Sequence, residues 1–98
     1  ALSFQVAYGT DLERAMAILV EAARAQPRVL AEPPPGALLV AFGESGIDLE
    51  LGVWIADPQA GSGPLRSEIN LAVWRSFRAE GIEIPYPQRE VRLLGPTA

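Results

Sequence analysis

Few residues in this chain could do chemistry. Asp48 and Glu50 stand two apart, which on an extended strand puts both carboxylates on one face. Their separation would fall within the roughly 5–10 Å used by paired glycosidase carboxylates. Nothing else supports a sugar site, and a solvated or interface face accounts for the pair. Gly61-Ser62-Gly63, ahead of a helical pattern, could offer backbone N–H groups to an anion. It lacks the Walker and dinucleotide-binding glycine spacings, so a plain loop accounts for it. The absences decide more. Among 98 residues there is no His and no Cys, and all eight cations are Arg. That excludes a Ser-His-Asp triad, thiolate nucleophiles, disulfides, zinc-finger spacings and every lysine-dependent reaction. The chain is expected not to be an enzyme, and to need no cofactor and no metal.

The net charge is −4 and the isoelectric point is near 4.7. Nucleic acid would call for a basic stripe, and the sequence has none. No apolar run exceeds six residues, as in 37–42, whereas a membrane span takes about 20. The chain opens on Ala1 without a basic leader, which suits a piece of a longer protein.

These side chains must be positioned by a single small domain. Residues 2–8 alternate, with Leu2, Phe4, Val6 and Tyr8 on one face, as in a half-buried strand. Thr10 followed by Glu13 reads as a capping box. Leu12, Ala15, Met16, Leu19, Val20 and Ala23 then recur at helical spacing, and Pro27 stops the helix near Ala25. Pro33, Pro34 and Pro35 predict a stiff extended connector. Residues 37–42 predict a strand whose unbroken apolar character suits burial on both faces. A Gly43–Gly46 turn joins it to an alternating strand over 47–55. Pro64 opens a second helix with a core row of Leu65, Ile69, Ala72, Val73 and Phe77, and Gly81 closes it. Arg75 and Arg78 suit the negative end of its dipole. Ile82-Glu83-Ile84 predicts a short fourth strand.

The order strand-helix-strand-strand-helix-strand predicts an α+β, βαββαβ sandwich: one antiparallel sheet with both helices on one face. After the rigid Pro85-Tyr86-Pro87, residues 88–94 alternate again. A strand held away from the sheet by prolines has two bare edges, and pairing with copies from other chains covers them. The residues alone therefore lean towards a homo-oligomer.

Several segments resemble the C-terminal cytosolic domain of the small-conductance mechanosensitive channel (MscS-like) family. They are Val6-Ala7-Tyr8-Gly9-Thr10-Asp11-Leu12-Glu13, Phe42-Gly43-Glu44-Ser45-Gly46-Ile47 with Val53-Trp54, Ser67-Glu68-Ile69-Asn70, and Gly81-Ile82-Glu83-Ile84-Pro85-Tyr86-Pro87-Gln88-Arg89-Glu90-Val91. The ordered set spans residues 6–91. The resemblance implies a ferredoxin-like unit over 1–84, and a hinge with an oligomeric barrel strand over 85–98. Seven copies would ring a vestibule on the cytosolic side of the inner membrane. The last strand would close an inter-subunit parallel β-barrel. Pro85, Tyr86 and Pro87 would then be the hinge, and Gln88, Arg89, Val91 and Leu93 barrel residues. Arg89 and Arg92 could pair with Glu90 between subunits. The membrane helices would lie upstream of Ala1. The channel so implied opens under membrane tension and releases ions and small solutes in osmotic downshock.

Three large apolar residues fall off the core pattern. Trp54 is either an interface anchor or packed under a loop. Leu71 and Trp74 share the wrong face of the second helix, which favours a partner surface over a local crevice. The alternative to a channel domain is a soluble ligand-binding regulatory module of the same ferredoxin-like fold. A small hydrolase is a further rival, for which no convergent polar site is found.

Overall fold

Alternation in the first residues produces strand β1, Leu2–Val6, and in the third strand β3, Ile47–Gly52. The apolar run between them is β2, Gly36–Phe42. The structure is a computed structural model that describes residues 1–85. β3 is central: the sheet order is β1-β3-β2, and both pairings are antiparallel. The register Leu2↔Leu51, Phe4↔Leu49 and Val6↔Ile47 puts all six of these side chains on one face. Ser3↔Glu50 and Gln5↔Asp48 occupy the other. A bulge at Val40 re-aims the end of β2.

Helices α1, Leu12–Arg24, and α2, Gly63–Glu80, cover the apolar face. Leu2, Val6, Leu49 and Leu51 meet Ile18 and Leu19 of α1 and Ile69 and Phe77 of α2 in one continuous core. α2 buries Leu65, Ile69, Val73 and Phe77, the expected row except for the half-buried Ala72. Gly81 ends it at φ +71°, a left-handed cap that glycine adopts without a Cβ penalty.

The structure corrects several expectations. α1 is capped by Asp11, whose carboxylate accepts from the Arg14 N–H, because the Thr10 hydroxyl is engaged by the Ala7 carbonyl. Its buried row is Ala15, Ile18, Leu19, Ala22 and Ala23, with Leu12, Met16 and Val20 only half-buried. β3 stops at Gly52; beyond it the chain bridges Val29 to Ile55, and Trp54 accepts from the Leu30 N–H. The proline connector bends over 31–33 and holds a cis Glu32–Pro33 peptide bond rather than running straight. β2 is an edge strand, not a doubly covered one, and leaves Leu38, Val40 and Phe42 exposed. Residues 82–84 form no strand. They reach the sheet where β1 has already ended, so a single bond from the Ala7 N–H to the Glu83 carbonyl is made. The described residues thus hold a three-stranded α+β unit.

Candidate functional site

No buried polar or charged side chain occurs among the described residues. No cluster of acidic residues there could hold a metal. The reactive-looking groups are occupied in ordinary ways. Asp48 accepts from the Gln5 amide at 2.8 Å across the sheet, and Glu50, half-buried like Asp48, shares its face. Gly61 directs its carbonyl to the Arg28 guanidinium at 2.8 Å, and Arg28 also grips Asp57 at 3.2 Å. The Gly61-Ser62-Gly63 segment is thereby tied to the chain before β2, as a structural loop.

A cleft lies where the start of α1 meets the end of α2, lined by Tyr8, Thr10, Asp11, Arg14, Glu80 and Glu83. Arg14 lies across it in a two-toothed bond to Glu80, with Nε–Oε1 at 2.7 Å and Nη2–Oε2 at 2.5 Å. These hydrogen bonds, then the charge itself, hold the Arg14 guanidinium above its usual value. The same bonds hold the Glu80 carboxyl below the usual carboxylate range, against the opposing effect of desolvation. The cation of the cleft is therefore engaged, and the pair links the two helices. Sequence periodicity missed it, since it joins residues 66 apart.

The described residues that the sequence marked fall at three places: Pro85 at one turn, Leu71 with Trp74 on α2, and Trp54 beyond β3. Pro85 sits on the β2–β3 turn: a Cβ built on the buried Gly46 would meet the Val6 carbonyl at 2.5 Å and the Pro85 ring at 2.7 Å. Gly46 was readable as a turn residue, but this close approach was not. Tyr8 anchors the same corner by donating its hydroxyl to the Gly43 carbonyl. Tyr86, Pro87, Gln88, Arg89, Val91 and Leu93 lie outside the described residues, as do Glu90 and Arg92.

Leu71 and Trp74 are brought together on the side of α2 opposite its core row. They line a shallow apolar hollow with Arg66 and Asn70 and are 42% and 46% exposed. The Arg78 guanidinium lies over the Trp74 ring, 5.0 Å from its centroid. Trp54 is not part of this hollow. It lies beyond the end of β3, near Gly52, and is 52% exposed. The exposed apolar residues of β2 are a third patch. An unbroken apolar run suits burial on both faces, yet it carries no sign of what covers it, and here β2 is an edge.

Among the described residues the features that stand out are surfaces: apolar patches flanked by charge, over one continuous core. No helix among the described residues is long and apolar enough to cross a membrane. Residues 1–84 match the family model for the C-terminal part of the mechanosensitive ion channel MscS. An uncharacterised MscS family protein of Haemophilus influenzae is 34% identical over 91 residues, covering 92% of this chain and 8% of that protein. The mechanosensitive channel MscK of Escherichia coli is 44% identical over 52 residues, covering 53% of this chain and 5% of that protein. The chain spans less than a tenth of the length of either relative. The match over residues 1–84 places this chain in the MscS mechanosensitive ion channel family, in its C-terminal part.

Proposed function

We propose that this chain is the cytosolic C-terminal domain of a membrane channel that opens under tension and releases ions and small solutes in osmotic downshock. Its work is assembly and vestibule formation, without catalysis. The family match over residues 1–84 carries the reading. The exposed apolar surfaces on α2 and β2 support it, because among the described residues no other segment covers them. The ferredoxin-like description extends the same reading: the order β1-β3-β2 is that fold without its last edge strand. In the assembled channel, seven copies would ring the vestibule, with residues 88–94 pairing as a parallel barrel beyond the Pro85–Pro87 hinge.

Two experiments test this. The complete gene product, placed in a host without its own mechanosensitive channels, should give currents under membrane tension and protect cells from downshock. A protein that reaches the membrane and gives neither result overturns the channel reading. Removing the residues after Tyr86 should leave the thermal transition of the α/β unit in place and weaken oligomers. Equal masses by light scattering for the full chain and the truncated one, with the full chain oligomeric, would refute the barrel.

A further inference from the structure

The two outer faces of the domain differ in charge. The outward side of α2 carries Arg75 and Arg78 against one carboxylate, Glu68, with Leu71 and Trp74 beside them; Arg66 stands at the rim of the same hollow and donates to the Ala1 carbonyl. The outer face of the sheet carries Asp48 and Glu50, with the exposed Leu38 and Val40 of β2 beside them. None of the three strands contains a cation. Each face therefore has an apolar centre, and the two have opposite charge. They also lie on opposite sides of one two-layer unit, since α2 turns its core row to the sheet and these residues away from it. Such a pair of faces cannot meet within one molecule.

We propose that they meet between molecules: the Leu71–Trp74–Arg78 ridge of one copy docks on the Leu38–Val40–Glu50 face of the next. The contact is head-to-tail, so repeating it generates a ring or a filament rather than a two-fold dimer. Apolar contact supplies the adhesion. The opposed charges set the register and disfavour ridge-to-ridge pairing, where Arg75 and Arg78 would face their own copies. This rests on the assembly reading above and adds which surfaces carry it.

The chain has no cysteine, so engineered pairs report without background. Leu38→Cys and Leu71→Cys together, under mild oxidation with copper-phenanthroline, should give a ladder of cross-linked species. Each single variant should give no product beyond a dimer. A dimer band from Leu71→Cys alone as strong as the ladder means a two-fold contact and overturns the proposal. Arg78→Glu or Glu50→Arg alone should weaken self-association about tenfold, and the two together should restore it. No restoration, in variants whose thermal transitions match the parent, also overturns it. Light scattering separates the two levels of failure. An oligomer that neither cross-links nor responds to Arg78→Glu removes this contact and leaves assembly standing. A chain that stays monomeric at every concentration and forms no ladder removes both.

Discussion

The two helices lie on the same sheet and finish their outer surfaces differently. α1 turns Glu13, Arg14, Glu21 and Arg24 outward, interleaved with the small Ala17, and its charges of both signs suit water. α2 turns out Leu71 and Trp74 beside Arg75 and Arg78. Their inner surfaces also differ. α1 buries three alanines, which bring its backbone close, whereas α2 buries Leu65, Ile69, Val73 and Phe77. A helix that is used once needs one apolar row. α2 has a second, and the contrast with α1 shows that composition alone does not force it there.

The contrast breaks most severely from the inside. Phe77 is 1% exposed at the centre of the core, and Phe77→Ala should cost about 3–5 kcal/mol in denaturant unfolding. In a domain with stability of about 5–15 kcal/mol, that removes a large part of it. Trp74→Ala, three residues earlier and equally aromatic, should change unfolding by about 0.5 kcal/mol or less while reducing self-association. If both cost the same stability, the outer row of α2 is core after all.

The helix ends come next in size. α2 closes on Gly81 at φ +71°, while α1 closes on Ala25 in the ordinary helical region. Gly81→Ala should therefore cost about 1–2 kcal/mol through backbone conformation alone, since a Cβ there meets nothing within 4 Å. At the end of α1, Ala25→Gly should cost about 0.5–1 kcal/mol by the opposite route, a gain in unfolded-chain freedom. Thermal melts of the two variants test this pairing, and a stabilised Gly81→Ala would contradict the left-handed cap.

The same contrast explains what the sequence made legible. The row of α2 could be read because polar residues stand in each interval between Leu65, Ile69, Val73 and Phe77. In α1 the run Ala15-Met16-Ala17-Ile18-Leu19-Val20 is apolar all round, so helical spacing admits two neighbouring rows, and the structure buries the one through Ile18 and Ala22. Thr10 and Asp11 are both good caps, and only the nearby Ala7 carbonyl decides between them. Residues 82–84 alternate as a strand does, yet pairing needs a neighbour, and β1 ends at Val6. Leu71 and Trp74 were found because they break a clear pattern. The exposed residues of β2 were not, because an unbroken apolar run has no pattern to break. Residue types and local spacing were thus readable, and contacts between distant segments, such as Arg14 with Glu80, were not.

That ion pair gives the smallest effect, and it tests whether the helices are coupled at their outer edge. Arg14 and Glu80 are partly exposed, so screening by water keeps the pair weak despite its two-toothed geometry. The sign follows from Glu80. Its carboxyl is held below the ordinary range when folded, so the folded state binds that proton less readily than the unfolded chain does. The pair therefore stabilises at pH above the ordinary carboxylate value, and this contribution fades as pH falls through the lowered folded one. Glu80→Gln should cause a small loss of stability at neutral pH that disappears in acid, and added salt should shrink it. Arg14 titrates too far into the alkaline range to contribute to that profile. A loss in Glu80→Gln that persists unchanged in acid and in high salt would mean that Glu80 acts by packing at the end of α2. The cleft would then be a seam between the helices held without charge.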